Sequence, residues 1–260
     1  MNGVLERTLG ILEVLCRNPN GAPLREIAEN LGIPPSGAHR LLQDLIRLGY
    51  VRQAREQADY VLTTKLVSLG LSFLSASGIV DVAQPVLDAL AQDSGELIRL
   101  AVVDGDHLTW VAKSQGARIG LRYDPDMGAH AHLASSASGH AWLMTMSDEK
   151  ALELVAKQGF GTAEEHGPNA PLMTTQLLKY LKAARNRGYS VAIETFARGM
   201  TGMAAPVQAA GGAAIGVISI YGPTVRMTEE RISQLGPRLL AGAKELATTS
   251  AASSFFNHRS

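Results

Sequence analysis

The 260-residue sequence holds a single cysteine, Cys16. A lone thiol excludes a disulfide framework and a thiolate metal cluster, and it suits a reducing compartment. Net charge is also missing: 24 Lys+Arg stand against 24 Asp+Glu. That excludes a uniformly basic protein that coats nucleic acid. It leaves room for a DNA reader using a small local surface. No stretch approaches the ~20 uncharged apolar residues of a membrane span. The apolar run over residues 8–16 is interrupted by Glu13 and followed by Arg25, Glu26 and Glu29, unlike a signal peptide. A cytoplasmic location is expected. Catalytic signatures are absent too: there is no G-x-S-x-G elbow and no P-loop. Gly211, Gly212 and Gly216 do not make G-x-G-x-x-G and read as a hairpin turn.

What is present is an ordinary globular balance, 46% hydrophobic and 18% charged, at a length that favours two domains. Residues 4–16 place Leu5, Leu9, Leu12 and Cys16 at helical spacing. Asn18-Pro19-Asn20-Gly21 ends that helix. A short helix over 24–31 stops at Gly32, and a third runs from Pro34-Pro35 to about Leu48. Residues 50–52 and 60–62 read as a hairpin, or wing, and 63–77 as another helix. Small residues at 75–78 mark the domain boundary. Beyond it, helices (79–93, 135–146, 148–158, 174–187, 228–247) accompany strands (97–103, 108–113, 189–195, 203–208, 213–221). This is an α+β pattern. The domains expected are a winged helix-turn-helix over 1–63, a linker helix over 64–78, a second domain over 79–250 and a frayed tail over 251–260.

The third helix carries the functional argument. Ala38, Leu41, Leu45 and Leu48 form an apolar stripe, and Ser36, Arg40, Gln43 and Arg47 recur on the other side. Those donors suit phosphate oxygens and base edges. Ser36 sits at the helix start, where free N–H groups favour a phosphate. His39 flanks the stripe, and Arg52 and Arg55 place charge on the wing. The same face also reads as solvated surface, with Arg40 and Asp44 four apart and able to pair. Residues 1–75 hold eight Lys/Arg and seven Asp/Glu, a net of +1. Non-specific affinity from counterion release should then be modest.

The chain resembles the IclR family of bacterial transcriptional regulators over nearly its whole length. The resemblance rests on Arg7-Thr8-Leu9-Gly10-Ile11-Leu12, Leu24-Arg25-Glu26-Ile27-Ala28, Ser36-Gly37-Ala38-His39-Arg40-Leu41-Leu42 and Leu48-Gly49-Tyr50-Val51. It continues in Ser138-Gly139-His140-Ala141, Gly188-Tyr189, Glu194, Met203-Ala204-Ala205-Pro206-Val207 and Ile218-Ser219-Ile220-Tyr221-Gly222-Pro223, with Arg226. Each piece is common; the ordered set is specific. The family usually has threonine at Gly37, lysine at His140 and histidine at Ala134. The resemblance implies a GAF-like effector-binding second domain and a dimer or tetramer on double-stranded operator DNA. Arg25, Pro35 and Gly37 join the candidate DNA-binding set.

It also implies an effector cavity. Ser135, Ser136, Ala137 and Ser138 open a helix and offer hydroxyls and N–H groups to a carboxylate, or serve as a plain N-cap. Glu194, Thr195, Met200, Gly202, Met203, Ser219 and Tyr221 match the family's pocket strands. Arg122, Tyr123, His130 and His132 precede the helix as a cover for an acid, or as exposed loop. Trp110 and Trp142 read as core or as stacking surfaces. His130-Ala131-His132 lacks a clearly spaced third ligand for a metal. No cofactor is expected. The leading reading is a regulator that senses a small carboxylic acid, with an aromatic one allowed. The alternatives are a hydrolytic enzyme built around Ser136, His140 and Glu194, and a ligand-free DNA-bound oligomer.

Overall fold

A computed structural model describes residues 3–54, 59–123, 127–208 and 212–249. Arg55 of the wing, Gly211 of the last turn and the tail over 251–260 lie outside them. The chain divides into two compact units, Met1–Ala76 and Ser77–Ser260.

The first unit runs α1 (Val4–Arg17), α2 (Leu24–Leu31), α3 (Pro35–Arg47), β1 (Val51–Gln53), β2 (Tyr60–Leu62) and α4 (Thr64–Ser77). Gly32 ends α2 with φ 60°, a left-handed conformation that glycine adopts without Cβ strain. Ile11, Val14, Leu15, Ile27, Leu41, Leu42, Leu45, Val51 and Tyr60 form one core. β1 and β2 pair antiparallel, Val51 opposite Leu62. Ala22 and Tyr60 exchange backbone hydrogen bonds of 3.1 and 3.0 Å, giving the wing a one-residue third strand.

Two sequence expectations shift here. Leu48 is 47% exposed, because α3 ends at Arg47, and Leu42 takes its place in the core. On α1, Leu5 and Leu9 are exposed, as is Cys16, while Ile11, Val14 and Leu15 turn inward. The apolar stripe over 5–16 is therefore two stripes, one of them facing out.

The second unit adds α5 (Ile79–Ser94), β3 (Leu97–Asp104), β4 (His107–Gln115), α6 (Ala137–Leu143), α7 (Asp148–Gln158), α8 (Thr174–Arg187), β5 (Ser190–Ile193), β6 (Met200–Gln208), β7 (Ala214–Pro223) and α9 (Glu229–Thr249). The sheet is antiparallel in the order β4-β3-β7-β6-β5. Side chains alternate between its faces. Ile98, Leu100, Met203, Ile218 and Ile220 pack with α5 and α9. Ala101, Trp110, Ala204, Val217 and Tyr221 pack with α6, α7 and α8. Both faces are covered, so β3 reads as a nearly unbroken buried run.

α6 is shorter than expected because Ser136 caps it, its Oγ accepting the Gly139 N–H at 2.9 Å. Gly139 is required where it stands: a Cβ there would lie 2.4 Å from the Leu133 carbonyl oxygen. β5 ends before Glu194, whose φ of 51° no strand accommodates. Glu96 and Arg226 clamp the start of β3 to the residues after β7 through paired bonds of 2.5 and 2.7 Å. Arg226 Nη1 also holds the Leu121 carbonyl at 2.8 Å, anchoring the segment that leads to Tyr123.

Candidate functional site

α3 begins at Pro35, a residue with no N–H to leave unpaired, and buries Ala38, Leu41, Leu42 and Leu45. That spacing turns Ser36, His39, Arg40, Gln43 and Arg47 to solvent, with Gly37 half-buried. Asp44 pairs with Arg47 at 3.1 Å rather than with Arg40. Arg40 makes no ion pair among the described residues. Gln43 and His39 lie 3.4 Å apart. Arg25 on α2 pairs with Glu29 at 2.7 Å, which raises its pKa. Arg52 is exposed on β1. At the helix start the Pro34 carbonyl takes the Gly37 N–H at 2.9 Å and the Ala38 N–H at 3.0 Å.

Among the described residues of the second unit, the largest fully buried side chain is a cation. Arg99 on β3 is 1% exposed, and its guanidinium carbon lies 3.6 Å from the centre of the Trp110 ring. Nη2 reaches the Met127 sulfur at 4.0 Å. The Trp110 Nε1–H is buried with no hydrogen-bond partner among the described residues. Across the sheet, Ser219 Oγ donates to the Arg99 carbonyl at 3.2 Å. The Tyr221 hydroxyl sits 3.3 Å from both Ser138 N and Ser138 Oγ. The Tyr123 ring lies 6.1 Å from that of Tyr221. Burial pushes the Tyr123 hydroxyl up to about 12, assisted by Tyr221 and opposed by the Arg99 charge. A cation, an unsatisfied donor, three aromatic rings and two serines thus share one sheet face.

Comparison with known proteins gives the frame for both sites. The family profile for the bacterial transcriptional regulator IclR C-terminal domain matches residues 71–248. The IclR helix-turn-helix profile matches residues 4–55. This chain belongs to the IclR family of bacterial transcriptional regulators. The acetate operon repressor of Salmonella typhimurium is 30% identical over 93% of the chain and 88% of its own length. The transcriptional repressor IclR of Escherichia coli is 29% identical over the same shares. These relatives are repressors, not enzymes. Among solved structures, Thermotoga maritima IclR superposes with a TM-score of 0.75 at 25% identity, over 95% of this chain and 98% of that one. An IclR homolog from Microbacterium hydrocarbonoxydans, complexed with 4-hydroxybenzoate, gives 0.79 at 21% identity, over 96% of this chain and 100% of its own.

Within this IclR-family frame, the residues expected to line an effector cavity separate. Ser138, Gly202, Ser219 and Tyr221 converge with Arg99 and Trp110. A Cβ at Gly202 would lie 2.4 Å from the Tyr221 ring, so glycine makes room for the ring. Met203, one residue on, faces the opposite layer with α5 and α9. Met200 packs partly buried at the near edge. Thr195 Oγ1 donates to the Ser135 carbonyl at 2.5 Å, and Ser190 Oγ to that of Ala137 at 2.7 Å, so these groups brace the α6 entry. The Glu194 carboxylate accepts the Gly199 N–H at 2.6 Å and closes its own loop. Arg122 is exposed. His130 stacks on His107 at 4.6 Å and bonds Thr109, on the outer side of β4. His132 meets Ser135 Oγ at 2.7 Å and packs on His166 at 4.2 Å. Burial and His166 bring its pKa down to about 4. The two histidines thus have separate partners, and no cluster of three metal-ligating side chains occurs among the described residues.

The imagined Ser-His-Glu triad is dispersed. Ser136 Oγ caps Gly139, Glu194 holds Gly199, and His140 Nε2 bonds the Ala134 carbonyl at 2.6 Å. Arg99 was absent from the expected set. Its one sequence signal is a charged residue inside an otherwise apolar strand, where only a partner on the same face allows burial.

Proposed function

We propose that this regulator grips operator DNA through α3 and the wing, and changes that grip when a small aromatic carboxylic acid binds against Arg99. Residues 1–63 act as the DNA-binding head, 64–78 as the linker helix and 79–250 as the effector-binding and oligomerisation domain. Ser36, Arg40 and Gln43 lead the contacts, with Pro35, Gly37, His39, Arg47, Arg25, Arg52 and Arg55 around them. The protein works in the cytoplasm, where its DNA is.

The observation carrying the effector reading is the buried Arg99 guanidinium stacked on Trp110, beside an indole N–H with no acceptor among the described residues. A carboxylate suits a guanidinium fork, and burial strengthens the attraction. The Trp110, Tyr123 and Tyr221 rings favour a flat apolar body. The 4-hydroxybenzoate held by the Microbacterium neighbour is an acid of that class. Ser138 and Tyr221 are placed to take a ring substituent. α6 spans only seven residues and its first-turn groups are engaged within the protein, so anion recognition falls to Arg99 rather than to a helix end.

Self-association is supported by apolar side chains that one copy leaves in water. Leu5 and Leu9 on α1 and Val67, Leu69 and Leu71 on α4 are each half or more exposed. A second copy would cover them. It would also present two reading helices to one operator, compensating for the nearly neutral head. The acid would act by binding one arrangement of the oligomer better than another.

The test is fluorescence anisotropy on an operator selected from random DNA with the protein itself. 4-Hydroxybenzoate should shift operator affinity at least tenfold, and its neutral amide should not. Arg99→Met should bind the operator normally and ignore the acid. A response retained in Arg99→Met removes Arg99 from the site. If the wild type responds to no carboxylate, the ligand-free oligomer is the better reading.

A further inference from the structure

The end of the reading helix is completed by the helix that follows the wing. α3 closes with two backbone bonds of 2.9 Å, from the Gly49 N–H to the Ile46 carbonyl and from the Tyr50 N–H to the Leu45 carbonyl. Such a closure satisfies carbonyls of the last turn and leaves those of Leu48 and Gly49 to find other donors. The start of α4 supplies both. Lys65 Nζ donates to the Leu48 carbonyl at 2.7 Å, and Thr63 Oγ1 to the Gly49 carbonyl at 2.6 Å. The Thr63 N–H adds a bond to the Tyr50 carbonyl at 2.9 Å. The same Thr63 hydroxyl accepts the Lys65 N–H at 3.2 Å and so caps the first turn of α4.

Three consecutive carbonyls, 48 to 50, thus take their donors from Thr63 and Lys65. The Lys65 ammonium is doubly favoured there. It sits at the negative end of the α3 dipole, and it lies over the Tyr50 ring, 4.7 Å from the centre. Lys65 is the only lysine in residues 1–75. A cation kept for phosphates would stand free in water, as Arg40 does without an ion pair among the described residues. Lys65 is instead engaged by a carbonyl and a ring at the junction of two helices.

We propose that Lys65 is a positioning residue for operator recognition, fastening the start of α4 to the end of α3 so that the two helices turn as one piece. It touches neither base nor phosphate. The direction of α4, the chain's path from the head to the second unit, then sets the angle at which α3 meets its half-site. In an oligomer that presents two reading helices, the tie fixes the half-site spacing that the protein accepts. That last step rests on the self-association reading; the tie itself does not.

The experiment is anisotropy with the full-length protein on the selected operator and on a version with its half-sites moved two base pairs apart, a turn of roughly 70° about the duplex. The wild type should lose at least tenfold in affinity on the altered operator. Lys65→Met should lose threefold or less. Lys65→Arg, which keeps a donor and a cation, should behave as the wild type. Lys65 is exposed, so an unchanged melting temperature confirms the fold. The salt slope should be the same in all three proteins. A slope shallower by about one in Lys65→Met would make Lys65 a phosphate contact and overturn the proposal. Undiminished spacing discrimination in Lys65→Met overturns it too. A wild type indifferent to spacing overturns the proposal if light scattering finds two chains on the DNA, and the self-association reading if it finds one. Amide exchange decides the tie in either case. The Thr63 and Lys65 amides should exchange at least tenfold faster in Lys65→Met than in the wild type or Lys65→Arg, and equal rates overturn the tie.

Discussion

The cations of α3 and the cation of β3 solve opposite problems. Arg40 and Arg47 stand in water on a helix whose other side is core. Arg99 is enclosed, with an indole ring against its face. An exposed arginine costs little to keep charged, but its attraction is screened by salt and softened by water. A buried one is costly to keep charged without partners inside the protein, and it discriminates sharply among the groups that can reach it. A head that must slide off its operator suits the first kind. The pocket proposed at Arg99, which has to tell an acid from its neutral analogue, suits the second.

That contrast breaks if salt treats the two alike. Raising ionic strength should weaken operator binding by an order of magnitude or more, following the phosphate contacts made. The affinity for 4-hydroxybenzoate should barely move in the same series. Equal slopes in anisotropy and calorimetry would mean that Arg99 works from solvent. Next in size, Arg40→Ala should weaken operator binding roughly 10–100-fold. Arg47→Ala should cost roughly threefold or less, because Asp44 already neutralises it. Equal losses would show that the Asp44 pair opens on DNA.

Acid separates the regions differently. Burial holds His140 neutral, with its pKa brought down to about 4, while the unfolded residue titrates near 6.5. Between those values the unfolded chain takes a proton that the folded chain refuses. Stability should therefore be full above about pH 6.5, fall as pH drops towards 4 and level off below. His132 adds to the same window. Melting curves of the full chain should show the second unit losing stability first, and His140→Gln should flatten the slope. The smallest effect belongs to Gly37, where an added Cβ meets nothing within 4 Å. Gly37→Ala should stabilise the head by about 0.5–1 kcal/mol in denaturant titrations. Gly37→Thr should bring a modest gain in operator affinity as well.

The head was readable because its elements are local. Three- and four-residue spacing, Gly32 and the Pro34-Pro35 start are each visible within a dozen residues; what slipped was the end of α3 and the buried side of α1. Leu48 was assigned to the core because the period was carried one turn past the helix. The effector face was harder, since it is assembled from β3, β4, β7 and α6 across more than a hundred residues. Naming Gly202 and Met203 for one pocket set aside the two-residue period of a strand, which sends them to opposite faces. Glu194 looked chemically available, and the positive φ that turns its carboxylate into its own loop has no sequence mark. Arg99 was legible only as an anomaly within a buried strand.

Gly202 and Tyr221 sit side by side on neighbouring strands, and the ring fills the volume that the missing Cβ leaves. How that face is filled is thus a property of the pair. A smaller residue at 221 with a larger one at 202 would keep the filled volume while shifting it along the sheet. Selection among the acids proposed to bind there can then drift through compensating exchanges, with the hydrogen-bonded sheet beneath them undisturbed.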